Sequence, residues 1–277
     1  KSSFLMFDKA PFKNVYMNGF VTDVDGEKMS KSLGNTVSPE IMIERFGADT
    51  VRLFILFSAN PEAGMEWSDS ALEANHRQMH QIFGCLKLMD SITDDVGLMD
   101  DWLSAKVRMN FSKWIDAMND VRIREGVMIS HFDMLSDLQW AIRRGGIGRN
   151  TLQIFMKKWG QMLYAATPHL AEEWNHIIGE NRLLAETIII NDAENKNDIV
   201  TLTAESTLRN LIDNSRNVKG LAERHTNSPL TKLVIQTSPK WKIQLMLEAI
   251  ELHAQNFDFM KKGQSFIQSH PLFQDDS

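Results

Sequence analysis

Residues 100–121 read DDWLSAKVRMNFSKWIDAMNDV, and this stretch decides the fold class of the chain. Its apolar residues recur every three or four positions, which is the period of one face of an α-helix. Three further stretches, about 68–92, 125–144 and 148–167, have the same spacing, with short Gly or Asp breaks between them. Four long helices joined by short connections predict an antiparallel bundle. The Trp and Met residues of these helices are its predicted core.

The flanking parts of the chain have a different pattern. Before the bundle we predict an extended segment at 15–24, a helix from Pro39 to Gly47 capped by Ser38, and a buried helix at 48–58. After the bundle we predict β-like runs at 187–190 and 199–203, a helix at 208–224, a strand at 233–236 and a helix from Ser238 toward 256. The sequence therefore predicts a mainly α chain whose last part is a small α/β domain.

Composition excludes several classes of protein. The 277 residues are 43% hydrophobic, with a formal net charge of −6, which is ordinary for a globular protein. No apolar run approaches the roughly 20 residues that a membrane helix needs, and no secretory segment opens the sequence. The single Cys85 permits no internal disulfide and is interpreted as an inert core thiol. We expect a soluble, cytoplasmic protein without a membrane partner.

One loop contains residues suited to phosphate binding. It reads EKMSKSLGN over residues 27–35, with Lys28 and Lys31 three positions apart and alternating with Ser30 and Ser32. Ammonium groups and hydroxyl or amide donors bind phosphate oxygens, and Gly34 lets the backbone turn closely. Cations that bind more tightly as charge develops on a leaving pyrophosphate would also lower a reaction barrier.

The same string resembles the Lys-Met-Ser-Lys-Ser signature of class I aminoacyl-tRNA synthetases. Its surroundings resemble the leucyl-tRNA synthetases of archaeal or eukaryotic-cytosolic type: Asn18-Gly19-Phe20, Leu33-Gly34-Asn35, the stretch Arg45-Phe46-Gly47-Ala48-Asp49-Thr50-Val51-Arg52-Leu53-Phe54, and Glu66-Trp67-Ser68-Asp69-Ser70. Pro168 to Trp174 is similar to a helix start in the anticodon-binding bundle of the family. Residues from Leu208 through Lys242 are similar to the family's tail domain.

The resemblance implies a fold, a reaction and three domains. Residues 1–60 would end a Rossmann-like nucleotide-binding domain, 61–185 would form the anticodon-binding helical bundle, and 186–277 an α/β tRNA-binding domain. The implied reaction is ATP-dependent activation of leucine to leucyl-adenylate, followed by transfer to tRNA(Leu). ATP is then a substrate, Mg²⁺ is expected with it, and no structural metal is expected. Lys28 and Lys31 would be catalytic, and Lys28, Met29, Ser30, Lys31 and Ser32 would bind the ATP phosphates.

The family's second signature, a His-x-Gly-His loop, is absent from this sequence. His176-Ile177-Ile178-Gly179 resembles it only superficially, because it follows the phosphate loop and lies at a bundle helix end. The chain therefore looks like a C-terminal portion of a longer enzyme. We expect it to be inactive alone, to need an upstream catalytic half that binds leucine and ATP, and to be monomeric when full length.

Charge is segregated along the chain in spite of the acidic total. Residues 138–158 contain five basic side chains and no acidic one, and residues 209–262 contain nine Lys or Arg against five Asp or Glu. Basic patches at helix turns suit tRNA phosphates, although solvated helix faces would have the same pattern. The candidate tRNA-binding residues are Arg143, Arg144, Arg149, Lys157, Lys158, Arg216, Lys219, Arg224, Lys240 and Lys242.

Two alternatives to a leucyl enzyme remain open from the sequence. The chain could belong to an isoleucyl-, valyl- or methionyl-tRNA synthetase, or it could be a non-catalytic tRNA-binding module with a vestigial loop. His76 and His80 have the i, i+4 spacing of two metal ligands, but no third ligand accompanies them. We therefore favour a solvated or tRNA-facing helix at these histidines.

Overall fold

The computed structural model describes residues 6–60, 62–92, 94–187 and 197–226, together with residues 189, 195, 229, 232 and 234. Within these residues the chain is mostly helical, as the sequence predicts. None of the described helices is long and apolar enough to cross a membrane. Backbone contacts divide the chain into two compact units, Lys1–Arg209 and Asn210–Ser277.

The first part of the chain contains a small parallel strand pair and two helices. Strand β1 (Val21–Thr22) pairs with β2 (Met65–Glu66), so only the end of the extended segment predicted at 15–24 is a strand. Helices α1 (Pro39–Phe46) and α2 (Ala48–Ser58) begin and end where the sequence predicts. Gly47 separates them with a φ of 81°, a left-handed conformation that glycine adopts without strain.

The bundle follows as a series of helices with short connections. Helix α3 (Asp69–Gly84) begins at Ser68, whose hydroxyl accepts from the amide of Ala71. A 3₁₀ turn (Cys85–Lys87) follows it. The helix predicted at 125–144 is interrupted by a π turn (Ile129–Asp133), and the one predicted at 148–167 ends at Leu163. The remaining helices are α4 (Leu88–Ser91), α5 (Asp100–Asn119), α6 (Ile123–Met128), α7 (Met134–Arg144), α8 (Arg149–Leu163) and α9 (Pro168–Ile177).

Aromatic and methionine side chains fill the bundle core, as predicted. Trp159 and Trp174 are fully buried and meet edge to face, with ring centroids 5.0 Å apart. Each indole N–H donates to a backbone carbonyl, Trp159 to Ser130 and Trp174 to Met156. Burial of such a side chain stabilises the fold by roughly 1.5–3 kcal/mol, and the satisfied N–H groups avoid the cost of a buried unpaired donor.

Helix α10 (Asp198–Thr226) corrects one prediction. Residues 199–203 are helical rather than extended. Tertiary contacts of this segment override the preference of its β-branched side chains for extended structure. The Asp198 carboxylate accepts two hydrogen bonds of 2.7 Å from the Arg108 guanidinium, and Leu202 packs against the bundle core. The helix predicted at 208–224 lies inside α10. The runs predicted at 187–190 and 233–236, and the helix predicted from Ser238, lie wholly or mostly outside the described residues.

Candidate functional site

The loop at residues 27–35, here called the phosphate loop, begins beside β1. Thr22 and Lys28 form an antiparallel bridge, and the amide of Met29 donates to the carbonyl of Val21 at 3.0 Å. Two successive turns then fold the second half of the loop, where Leu33 and Gly34 donate to carbonyls three residues earlier. The loop is therefore anchored to the strand pair at one end and tightly turned at the other.

Two side chains that the sequence analysis did not single out organise this loop. Asn35 donates to the Asp23 carboxylate at 2.7 Å and accepts from the amide of Ser30 at 2.9 Å. The same carboxylate accepts from the amides of Asp25 and Glu27. The hydrogen bond from Asn35, followed by those from the backbone, lowers the pKa of Asp23. The pairing of Asp23 with Asn35 is visible only in the structure.

The predicted phosphate-binding residues lie together in this loop. Lys28 is exposed, with its Nζ 3.6 Å from the centroid of the Phe20 ring. Lys31 is also exposed, and among the described residues its ammonium group has no hydrogen-bonding or ion-pairing partner. The hydroxyls of Ser30 and Ser32 are 3.1 Å apart. Lys31 thus has an ammonium group available to an anion, whereas Lys28 already contacts an aromatic face.

Backbone amides extend this arrangement. Within the described part of the chain, the amides of Lys31 and Ser32 donate to no group. Successive unpaired N–H groups in a tight turn form a concave anion-binding site. The loop therefore offers an ammonium group, two amides and one hydroxyl proton of the Ser30–Ser32 pair to phosphate oxygens, while Met29 contributes backbone pairing to β1.

The candidate basic residues at the α7–α8 turn differ in how far their charges are neutralised. Arg144 and Lys157 form ion pairs with Glu205 (3.3 Å) and Glu180 (2.6 Å). Lys158 lies over the Phe111 ring, with Nζ 4.2 Å from its centroid. Arg143 and Arg149 are exposed, and no acidic partner of theirs lies in the described ranges. The effective positive charge is therefore smaller than the sequence count.

The candidate residues on the second half of α10 belong to the other compact unit. Arg216 pairs with Asp213 at 3.4 Å, Lys219 with Glu223 at 3.8 Å, and Arg224 donates to the carbonyl of Gly220. All three basic side chains are exposed. Lys240 and Lys242 lie outside the described residues, so their assignment stays a prediction.

The residues weighed for other chemistry do not form a second site in the described structure. His76 and His80 contact each other through their Nε2 atoms, 3.1 Å apart. The described residues contain no group of three His, Cys, Asp or Glu side chains that could hold a metal ion. Burial raises the pKa of the Cys85 thiol to about 11, which keeps it protonated and unreactive.

The first part of the chain matches the model of a known protein family. Residues 2–68 match the family model described as tRNA synthetases class I (I, L, M and V). The part of the chain that holds the phosphate loop, β1, β2, α1 and α2 is therefore similar to the class I tRNA synthetases.

The individual relatives are more specific than the family model about the amino acid, because they are leucine-tRNA ligases. The leucine-tRNA ligase of Methanothrix thermoacetophila is 27% identical over 243 residues, which is 86% of this chain and 25% of that protein. The leucine-tRNA ligase of Archaeoglobus fulgidus is 26% identical, over 86% of this chain and 24% of that protein. That of Ruthia magnifica subsp. Calyptogena magnifica is 47% identical over 114 residues, or 41% of this chain and 13% of that protein. The resemblance to leucyl-tRNA synthetase is confirmed.

A solved structure agrees with the fold. The chain is similar to the LeuRS of the Agrobacterium radiobacter K84 agnB2 LeuRS-tRNA-LeuAMS ternary complex, with a TM-score of 0.57 and 24% identity over 67% of this chain and 25% of that one. At this identity the likeness concerns the fold alone. The chain spans about a quarter of the length of the archaeal relatives that it matches over most of its own length.

Proposed function

We propose that this chain is part of a leucine-tRNA ligase and supplies its ATP-phosphate loop and tRNA-binding domains. The observation that supports this most directly is the phosphate loop, where the unpaired ammonium group of Lys31 lies in the same tight turn as the unpaired amides of Lys31 and Ser32. Identity to leucine-tRNA ligases along most of the chain supports leucine as the amino acid.

The proposed first step needs charge stabilisation at the phosphates. The leucine carboxylate attacks the α-phosphate of ATP, a new O–P bond forms, and pyrophosphate leaves with the electron pair of the broken bond. Lys31 and the loop amides bind the phosphates, and their interaction strengthens as charge accumulates on the leaving group. Lys28 assists from the start of the loop, with Ser30 and Ser32 supplying hydroxyls. Mg²⁺ enters with ATP as part of the substrate.

The second step transfers leucine to the terminal ribose of tRNA(Leu), and the other domains have their proposed roles in this step. In this proposal residues 1–60 end the catalytic domain, 61–185 form the anticodon-binding bundle, and 186–277 form a tRNA-binding tail. Arg143 and Arg149 are the candidate phosphate contacts of the bundle that have no acidic partner among the described residues.

We infer that the chain alone does not activate leucine. It corresponds to about a quarter of its relatives, and no second nucleotide-binding signature occurs in its sequence. Large apolar side chains exposed in the residues that precede the phosphate loop in the sequence support the same inference, since soluble proteins rarely leave extensive apolar surface without a partner. These side chains are Met6, Phe7, Phe12, Val15, Tyr16, Met17, Phe20 and Val24.

The decisive experiment is ATP–pyrophosphate exchange by the polypeptide that the intact gene encodes. Lys31→Ala is expected to lower the exchange rate about a hundredfold, because one transition-state contact is removed. Lys87→Ala is the matched control, since Lys87 is an exposed lysine of the 3₁₀ turn after α3, away from the loop. Unchanged exchange in Lys31→Ala would refute the role given to this residue.

The same assay separates the alternatives. Exchange with leucine, and not with isoleucine, valine or methionine, supports the proposed substrate, because the family model covers all four enzymes. A tRNA-binding module without catalysis would show no exchange with any amino acid, and its tRNA affinity would fall with salt but not respond to ATP.

A further inference from the structure

Helix α2 lies between the phosphate loop and the bundle. Its Val51 and Phe54 pack with Val37, which follows the loop by two residues. Its Leu53, fully buried, packs instead with Val127 of α6 and with Ala166, which lies just after α8. One helix therefore has apolar contacts on both sides, and the segment that directly follows the loop meets the bundle through it.

Polar side chains of α2 add a specific contact to the connection between α8 and α9, which we call the α2 corner contact. The Asp49 carboxylate accepts from the amide of Leu170 at 2.7 Å and from Nδ1 of His169 at 2.9 Å. The Arg52 guanidinium donates to the carbonyls of Ala166 at 3.0 Å and Ala165 at 3.3 Å. The four side-chain hydrogen bonds bridge more than 110 residues of sequence.

The contact also matches the electrostatics of the two helix ends. The Asp49 carboxylate lies at the N-terminus of α9, where helix amides lack partners, and Thr167 at the cap position of α9 provides no side-chain acceptor. The Arg52 guanidinium contacts carbonyls just beyond the C-terminus of α8, where a cation is favoured. Asp49 is buried, with 6% of its surface exposed, so loss of its partners would leave a buried charge unsatisfied.

We infer that Asp49 and Arg52 are positioning residues for the transfer of leucine to tRNA. This inference rests on the proposed function. The α2 corner contact fixes the orientation of the bundle relative to the phosphate loop, so that a tRNA bound on the bundle presents its terminal ribose at the site where the adenylate forms. Transfer then forms an ester bond between the ribose oxygen and the leucyl carbonyl carbon and breaks the bond from that carbon to AMP. AMP leaves with the electron pair of the broken bond, the hydroxyl proton is released, and the step depends on placement of the reacting groups. Adenylate formation needs no tRNA and does not depend on the contact.

The test compares the two steps in the polypeptide encoded by the intact gene. The variants Asp49→Asn and Arg52→Gln are expected to lower kcat/KM for tRNA charging about tenfold to a hundredfold, since small misplacement of reacting groups has effects of that size. ATP–pyrophosphate exchange is expected to stay within about twofold of wild type. Arg52→Lys retains the charge, but its ammonium group is a compact point charge rather than a planar fork, so it should recover only part of the charging. Arg45→Gln, at an exposed arginine in the last turn of α1, is the control and should change neither step.

Three results would overturn the positioning role of Asp49 and Arg52. Charging and exchange that fall together, with a lower melting temperature, would show that the contact only stabilises the fold and would overturn the inference. Normal charging in both variants would overturn it as well. If the wild-type enzyme shows no exchange with leucine, the proposed function fails, and this inference fails with it.

Discussion

His131 is a fully buried titratable residue in the bundle core. It is fully buried in the π turn, with Nδ1 2.8 Å from the Ser130 hydroxyl and Nε2 3.0 Å from the Thr167 hydroxyl. Burial lowers the pKa of His131 to about 3, and the imidazole is therefore neutral at physiological pH.

The substitution His131→Gln tests this burial through the pH dependence of stability. The unfolded state binds a proton below its ordinary pKa of 6.5 and the folded state does not, so wild-type stability falls as the pH drops from 6.5 toward 3. Between pH 6.5 and 4.5 we expect the wild type to lose about 2 kcal/mol more free energy of unfolding than the variant. Urea denaturation at several pH values measures this difference.

His176→Gln is the control, because His176 is an exposed histidine on α9. Its pH profile should follow that of the wild type. Parallel wild-type and His131→Gln profiles would contradict the assigned burial of the neutral imidazole.

At the scale of single residues, some functional candidates could be predicted from the sequence and others could not. Lys28 and Lys31 were recognisable because their spacing and flanking hydroxyls are a local pattern. Asp49 and Arg52 lay in a motif that marked the family, but their hydrogen-bonding partners are more than 110 residues away. Asp23 and Asn35 are only 12 residues apart, yet nothing in their residue types distinguishes a loop-organising pair from two solvated side chains.

At the scale of elements, the first part of α10 is fixed to the bundle mainly by polar contacts. Besides the Arg108–Asp198 pair, Glu205 accepts from the indole N–H of Trp140 at 2.8 Å, and the Arg209 guanidinium lies 4.3 Å from the Trp140 ring centroid. No described residue of α10 is buried. A cleft of about 270 Å³ separates this segment from α5 and is lined by Trp102, Lys106, Met109, Leu202, Thr203, Ser206 and Arg209. We therefore expect this segment to open more readily than the bundle.

The substitution Asp198→Asn should loosen this segment selectively. The substitution removes the charged acceptor of two hydrogen bonds from Arg108. Charge-assisted hydrogen bonds of this kind are stronger than neutral ones. Amide hydrogen exchange over residues 198–209 should accelerate about tenfold, corresponding to roughly 1.4 kcal/mol, while exchange in α8 stays unchanged.

The control is Asp213→Asn, which removes an exposed carboxylate whose partner Arg216 is three residues away on the same helix. It should have little effect, because exposed ion pairs contribute little stability. Equal acceleration in α8 and residues 198–209 would argue against a separately opening segment.

Element boundaries could be predicted where the signal is local. Ser38-Pro39 and Gly47 delimit α1, and Ser68 caps α3, because caps, proline and glycine act within a few residues. The helix at 199–203 could not be predicted, since it is stabilised by Arg108, 90 residues earlier. The π turn also has no local signal, because its hydrogen-bonded contacts extend to Trp159 and Thr167.

For the whole molecule, the pairing of individual charges matters more for nucleic-acid binding than the net charge does. The formal net charge is −6, and the basic α7–α8 turn is partly neutralised by Glu180 and Glu205. On the described part of the bundle, a tRNA partner would therefore meet a small number of available cations rather than a broad basic surface. This pattern favours modest affinity with a shallow salt dependence.

Salt-dependent tRNA binding by the chain tests this distribution. Arg149→Gln should weaken binding at low salt and reduce the slope of log affinity against log salt by about one, because one phosphate contact is lost. Lys157→Gln is matched in chemistry but removes a cation already paired with Glu180, so its slope should stay close to wild type. Filter binding at 50–200 mM salt measures both slopes. Equal loss of slope in the two variants would mean that the pairing seen in the structure does not persist with RNA bound.

The π turn at Ile129–Asp133 has a consequence for how relatives of this chain should be aligned. An α-helix advances about 100° per residue, whereas a π turn absorbs one additional residue within a single turn. A helical wheel drawn without interruption from α6 to α7 would therefore misplace Leu135 and Leu138 by about 100°, away from the core in which they are buried. Single-residue insertions and deletions among relatives are expected at this turn, where a change in length leaves the faces of both flanking helices in phase.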